Sequence, residues 1–205
     1  MQQTLLVDAP ALRAALARCC EAMEAAAPEL NALDGRLGDG DLGTTLAKCA
    51  ANLREVFAAP PAGLDALLKA GAQACARASG SSFGTLLAVA FLTAAKAVGA
   101  RESLDRAALA DLLGAVGDAI SQRGGANAGD KTMLDSLAAI AAALREAPDT
   151  SADALKALTR EAAQQALDAF RDRPNRIGRA RMFAERSVGL DDPGMVAVQR
   201  IVQSL

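Results

Sequence analysis

The chain has 205 residues, a length that suits one domain or two small ones and that is sufficient to bury a hydrophobic core. Its 22 basic and 24 acidic residues give a net charge of −2, so no basic field favours nucleic acid as a main partner. It contains no histidine, which excludes a phosphohistidine carrier and a Ser–His nucleophile pair and leaves carboxylates, Lys, Arg, hydroxyls and backbone amides for any chemistry.

Composition and periodicity predict an all-α protein. Hydrophobic residues make up 52% of the chain but aromatic residues only 2%, and alanine, the best helix former, dominates. Apolar residues recur at helical spacing in eight segments, and no stretch alternates with period two, so no strand is predicted. The predicted helices cover residues 8–27, 43–57, 63–78, 83–98 and 105–123, a sixth helix from Lys131, residues 151–172, and an eighth helix from Pro193.

The connections between these helices are mostly short, which favours an eight-helix antiparallel up-and-down bundle or barrel formed by residues 1–205 as a single domain. Pro28 is expected to end the first helix, and residues 174–191 form the longest irregular stretch. Asp192 followed by Pro193 predicts a capped start for the last helix.

Several features predict a cytoplasmic protein that does not enter a membrane. The first residues lack the basic start and long apolar run of a signal peptide, and the apolar stretches are too short or too interrupted by charge to cross a bilayer. The four cysteines form no CxxC pair and lie in alanine-rich helical sequence, where cysteine behaves as a small hydrophobe. We therefore expect reduced, structural cysteines.

Three carboxylates lie between the first two predicted helices, in the segment DGRLGDGDLGTT at residues 34–45, which we name the aspartate loop. Asp34, Asp39 and Asp41 are interleaved with four glycines, and carboxylates held this closely repel one another unless a cation neutralises them. The spacing differs from that of an EF-hand and suits Mg²⁺, which completes its coordination with water and phosphate oxygens. The alternative is an ordinary Gly/Asp turn in which Asp41 caps the next helix.

Gly43, Thr44 and Thr45 open the second predicted helix, and their amides and hydroxyls suit a phosphate. Three further loops place small polar residues or arginines before a helix, at residues 78–84, 124–133 and 178–194. Taken alone, each has a structural interpretation: a serine-capped turn, a turn with Asp130 as N-cap and Gly124 as C-cap, and a solvated basic loop.

The four loops follow the first, third, fifth and seventh predicted helices. In an antiparallel bundle, alternate connections lie at the same end, so we expect these loops to form one composite site. Arginine is well suited to clamp phosphate there, and the third of the further loops, with the residues just before it, supplies Arg176, Arg179, Arg181 and Arg186.

The four segments LNALDGRLGDGDLGTT, ASGSSFG, GDKTMLD and GRARMFAERSVGLDDPG resemble the L subunit of dihydroxyacetone kinase (DhaL-type) and the equivalent C-terminal domain of the single-chain kinases. They occur in the order and spacing of that family and span nearly the whole chain. The resemblance implies an eight-helix antiparallel barrel with an adenine nucleotide at one end, ADP or ATP, held through a pair of Mg²⁺ ions.

The resemblance also implies the roles of individual residues. Asp34, Asp39 and Asp41 would be the metal ligands and, with Arg179, the catalytic residues. Met133 would form an apolar wall for the adenine, and Arg179 would face the phosphates. The nucleotide pocket would be formed by Leu42, Gly43, Thr44, Thr45, Ala78, Ser79, Gly124, Met133, Arg179, Asp192, Pro193 and Gly194. Two positions depart from the common family pattern: Leu42, where many members have His, and Ser82, where many have Leu.

In that family the ketose acceptor is held covalently by a histidine of a separate K subunit or domain, so a chain without histidine is expected to work with such a partner. Two phosphoryl donors are consistent with the sequence: ATP, or a phosphoprotein of the sugar phosphotransferase system (M subunit) that recharges bound ADP. A different small ketose and a homodimer are also open. The alternatives are a nucleotide-loaded regulatory protein that signals kinase status and the nucleotide domain of a fatty-acid-kinase-like system.

Overall fold

The computed structural model describes residues 5–78, 82–148 and 150–205. These residues form eight α-helices, one 3₁₀ helix and two very short strands. The α-helices are α1 (Ala9–Asp34), α2 (Leu42–Ala58), α3 (Leu64–Arg77), α4 (Ser82–Val98), α5 (Arg106–Gly124), α6 (Met133–Glu146), α7 (Ala152–Arg171) and α8 (Pro193–Gln203). The 3₁₀ helix is Arg179–Ser187, and the strands are β1 (Val7–Asp8) and β2 (Ser103–Leu104).

The helices form an antiparallel up-and-down bundle, which confirms the predicted fold class. Each helix packs against the next along the chain, and α8 packs back against α1 and α6, so that the first and last helices close the bundle. In the described part of the chain, every helix falls short of the length and apolar character needed to cross a membrane.

The structure corrects the prediction that Pro28 ends the first helix, because α1 continues through Pro28 to Asp34. An internal proline removes one backbone hydrogen bond, but tertiary packing can offset that cost. Here the turn that follows Pro28 places Leu30 in the core with none of its surface exposed. The burial of Leu30 therefore favours continuing the helix, and the continuation brings Asp34 to the end of the bundle.

The prediction that the chain has no strand is also wrong, although only in a small detail. β1 and β2 pair antiparallel, with Val7 opposite Leu104 and Asp8 opposite Ser103. Two residues per strand are too few to produce a recognisable alternation of polar and apolar positions.

The sixth helix begins at Met133 rather than at Lys131, and Thr132 rather than Asp130 is its N-cap. The Thr132 side chain and Asp135 form a capping box at this end. Lys131 has a φ of 62°, which is incompatible with the first turn of a right-handed helix. The carboxylate of Asp130 instead accepts a hydrogen bond from the Asn127 amide at 2.7 Å.

Candidate functional site

The three carboxylates of the aspartate loop meet at one end of the bundle. Asp34 is the last residue of α1, Asp41 directly precedes α2, and Asp39 lies in the turn between them. One oxygen from each of the three side chains lies within 4.8 Å of the other two. Asp39 and Asp41 are exposed and Asp34 is half-buried, so the cluster is open to solvent on one side.

Backbone contacts hold this cluster in place. Asp34 Oδ2 accepts hydrogen bonds from the amides of Asp41 at 3.0 Å and Leu42 at 3.4 Å. Gly40 has a φ of 73°, a left-handed conformation that glycine adopts without steric cost. Asp41 occupies the N-cap position of α2, but its side chain makes no capping hydrogen bond. The capping interpretation therefore does not account for its carboxylate, whereas three converging carboxylates are ligands that suit Mg²⁺.

Arg179, at the start of the 3₁₀ helix, contacts the aspartate loop directly. Its guanidinium Nη1 forms an ion pair with Asp39 Oδ2, and both side chains remain substantially exposed, at 61% and 42%. An exposed pair of this kind contributes little stability, so its geometry can rearrange at low cost. The first residue of the 3₁₀ helix is thus positioned where it can contact a negatively charged group bound at the cluster.

A cavity of about 340 Å³ lies between the aspartate loop, Arg179 and the start of α8. A second cavity of about 450 Å³ adjoins it, and five residues line both: Ser82, Thr132, Met133, Ile177 and Gly178. Each volume lies within the range of about 300–1,000 Å³ that is usual for small-molecule pockets. The acidic cluster lines the first of these adjoining cavities and not the second.

Most of the predicted site residues line these cavities. The first cavity is lined by Asp34, Asp39, Asp41, Leu42, Met133, Arg179, Asp192, Pro193 and Gly194. The second is lined by Gly124 and again by Met133. Gly43, Thr44, Thr45 and Ala78 line neither cavity, and Ser79 lies outside the described residues.

The start of α2 is already occupied by contacts within the protein. The Thr44 amide donates to Asn31 Oδ1 at 3.0 Å, Asn31 Nδ2 donates to Thr44 Oγ1 at 3.0 Å, and the Thr45 amide donates to the Asp41 carbonyl at 2.9 Å. Gly43 is buried against Ala27 of α1. The phosphate contacts expected for these three residues therefore stay predictions. Asn31 was not identified from the sequence as a residue that holds the start of α2. The one feature that could have indicated this role is its position about one helical turn before Asp34 in α1.

Asp192 caps α8, as predicted, and belongs to a buried polar network at the wall of the first cavity. Its Oδ1 accepts from the Met195 amide at 2.9 Å and its Oδ2 from Asn175 Nδ2 at 2.8 Å. Burial raises the pKa of Asp192 to about 6, although these hydrogen bonds act in the opposite direction. Asn175 was not predicted, because a single Asn in an irregular segment carries no recognisable sequence signal.

Comparison with known proteins identifies a family. A model described as the DAK2 domain matches residues 36–205. The chain is 32% identical over 166 residues to the ADP-binding subunit DhaL of a PEP-dependent dihydroxyacetone kinase from Listeria innocua, covering 80% of this chain and 79% of that protein. It is 29% identical over 197 residues to the corresponding Escherichia coli subunit, covering 93% of this chain and 92% of that one.

Longer kinases match as well. The chain is 33% identical over 180 residues to an L-erythrulose 1-kinase of Mycolicibacterium smegmatis, covering 86% of this chain but only 32% of the kinase. It thus spans about a third of the length of that relative. The crystal structure of the dihydroxyacetone kinase from C. freundii in complex with AMP-PNP and Mg²⁺ superposes with a TM-score of 0.73 at 22% identity, covering 98% of this chain and 34% of that one, which confirms the fold.

Proposed function

Because the chain belongs to the DAK2 domain family, we propose that residues 1–205 are the DhaL-type nucleotide-binding domain of a dihydroxyacetone-type kinase. The observation that carries this proposal is the convergence of three carboxylates on a cavity that Arg179 also lines. Support for a nucleotide comes from relatives named as ADP-binding subunits and from a solved structure of the same fold with AMP-PNP and Mg²⁺.

In this proposal Asp34, Asp39 and Asp41 hold two Mg²⁺ ions, as the donor set fits hard cations that also bind phosphate oxygens. When bound, Mg²⁺ supplies charge neutralisation for the phosphates. The exposed guanidinium of Arg179 would exchange its contact with Asp39 for hydrogen bonds to the phosphates, and its positive charge would then stabilise the group to be transferred. These four residues form the proposed catalytic set.

In this proposal the two adjoining cavities would hold the nucleotide. Met133, which lines both, provides an apolar wall for the adenine, and Gly124 borders the second cavity. Asp192, Pro193 and Gly194 border the first cavity, which the aspartate loop also lines, and would complete the nucleotide pocket. The remaining members of the proposed nucleotide site are Leu42, Gly43, Thr44, Thr45, Ala78 and Ser79.

The acceptor in this proposal is dihydroxyacetone or a similar small ketose. A K subunit or K domain would hold it, because residues 1–205 contain no histidine for that purpose. Relatives named as kinases of dihydroxyacetone or of erythrulose support this class of acceptor. The phosphoryl donor is either ATP or a phosphoprotein that recharges bound ADP. The relatives named as PEP-dependent support the phosphoprotein. Four buried, unpaired cysteines support a reducing compartment such as the cytoplasm.

Calorimetric titration of the nucleotide-free protein with ADP or ATP tests the proposal, with Mg²⁺ and with EDTA. The double variant Asp39→Asn, Asp41→Asn should lose at least about 100-fold in Mg²⁺-dependent affinity, because it removes two direct ligands. Asp111→Asn, Asp118→Asn is the matched control, since it makes the same charge change at exposed positions of α5 that line neither cavity. Equal affinity in the two double variants, or no nucleotide binding by the folded wild type, would refute the proposal.

Transfer itself is measured by adding a K subunit and dihydroxyacetone. Product formed from ATP would identify a direct donor, whereas bound ADP that resists removal and requires a phosphoprotein would identify the recharged cofactor. Erythrulose, used in parallel, compares the two classes of ketose.

A further inference from the structure

Lys131 carries a fully buried ammonium group beside the candidate site, and no role in the proposed chemistry involves it. None of its surface is exposed, and its backbone has a strained φ of 62°. Its Nζ donates hydrogen bonds to the carbonyl oxygens of Arg171 at 2.9 Å, Arg173 at 2.8 Å and Ser187 at 2.8 Å. An ammonium has three donors, so this set satisfies it completely, as a buried charge requires.

The three carbonyl acceptors lie at the two ends of one segment, residues 171–187. Arg171 and Arg173 stand where the chain leaves α7, and Ser187 is the last residue of the 3₁₀ helix. The Lys131 ammonium therefore holds the beginning of this segment, at Arg173, close to its end, at Ser187. Arg179 lies in the sequence between these two points. Closing the segment at a fixed point removes conformations in which Arg179 points away from the aspartate loop.

Further contacts join the same residues to the wall of the cavity. The Lys131 carbonyl accepts from Asn175 Nδ2 at 2.9 Å, and that amide also donates to Asp192 at 2.8 Å. The Asn175 backbone amide donates to Ser187 Oγ at 2.8 Å. One buried network thus connects the loop before α6, the 3₁₀ segment and the cap of α8.

We infer that Lys131 is a positioning residue whose ammonium holds residues 171–187 so that Arg179 faces the aspartate loop. This inference rests on the proposed function for the role of Arg179 in nucleotide binding, but the holding of the segment is independent of it. Lys131 lines neither cavity, so its effect on a bound nucleotide must pass through the segment it anchors.

The first test is limited trypsin digestion of the whole chain as Lys131→Met, which keeps an unbranched side chain of similar size and removes the ammonium. Arg176, Arg179, Arg181 and Arg186 supply cleavage sites inside the segment. Cleavage there should be about tenfold faster or more in this variant, because local opening becomes easier. Lys69→Met is the control, since Lys69 is an exposed residue of α3 that pairs with Asp65, and it should digest like the wild type.

The second test is a double-mutant cycle on the affinity for Mg²⁺ with a non-hydrolysable ATP analogue. Lys131→Met should weaken binding about tenfold when Arg179 is present and about twofold or less in an Arg179→Ala background, since the two residues act as one unit. A residue that only stabilises the bundle would give the same fold loss in both backgrounds, and that result would overturn the inference.

Lys131→Arg keeps a cation with several donors and serves as the second variant if Lys131→Met does not fold. It should recover part of the resistance to trypsin and part of the affinity. Unchanged cleavage in Lys131→Met, or no difference between the Arg and Met variants, would overturn the inference. A wild type that binds no nucleotide would refute the proposed function instead, while the trypsin comparison would still decide whether Lys131 anchors the segment.

Discussion

Replacing Gly43 with alanine tests how closely α1 and α2 approach beside the aspartate loop. A methyl group on Gly43 would lie 2.7 Å from both the Cα and the carbonyl carbon of Ala27, with the carbonyl oxygen nearer still. Real side-chain carbons do not approach backbone this closely, and neither partner is a flexible side chain that can move aside. The two helices must therefore separate.

The size of the effect follows from this geometry. Contacting carbon atoms lie about 3.5–4.0 Å apart, so the helices must move apart by roughly 1 Å at this point. Overpacking that displaces backbone costs about 3 kcal/mol of unfolding free energy, which corresponds to a Tm lower by about 6–12 °C for a chain of this size. Asp34 ends α1 and Asp41 precedes α2, so the same separation should spread the carboxylate cluster and weaken Mg²⁺ binding.

Thermal unfolding followed by circular dichroism measures the change, and Gly117→Ala is the matched control. Gly117 lies inside α5, and a methyl group there would meet no atom within 4 Å. Alanine is a better helix former, so this variant should gain about 0.5–1 kcal/mol. If Gly43→Ala unfolds within about 2 °C of the wild type, the reasoning about close helix approach is wrong.

Three further predictions concern pH, a helix cap and the ligand. Burial raises the pKa of Asp192 from its ordinary 3.8 to about 6, so its stabilising contribution is complete below about pH 4 and is lost as the pH rises through 6. Urea unfolding measures the free energy of unfolding of the wild type minus that of Asp192→Asn. This difference should be up to about 3 kcal/mol greater at pH 4 than at pH 7.5, and the same difference at both pH values would contradict the prediction. Thr132→Ala loses the N-cap of α6 and should lower the Tm by about 2–4 °C, whereas Thr132→Ser should not, and equal Tm values for the two variants would show that the cap is unimportant. ADP with Mg²⁺ at about 100 times its Kd should stabilise the fold by about 2.7 kcal/mol, and a Tm increase that survives EDTA would argue against the metal.

The sequence alone was sufficient for the features that depend on neighbouring residues. Helical spacing of apolar residues predicted the eight helices, and Asp192 with Pro193 predicted the start of α8. The three aspartates of the aspartate loop were identified because they lie within eight residues of one another, and they do converge in the structure. Alternation of the loops along an antiparallel bundle then predicted that the four segments share one end.

Tertiary structure decided the features that depend on distant partners. Pro28 lies inside a helix because Leu30 is buried, and the pairing of Asn31 with Thr44 depends on how α1 and α2 pack. The sequence indicated a helix start near Lys131. In the structure the Lys131 side chain is instead a buried cation, held by carbonyl oxygens that lie 40, 42 and 56 residues downstream. Local spacing determines where a helix forms. The cost of burying a charge, or of keeping a proline inside a helix, is offset by groups that only the folded chain brings together, and the neighbouring sequence does not identify those groups.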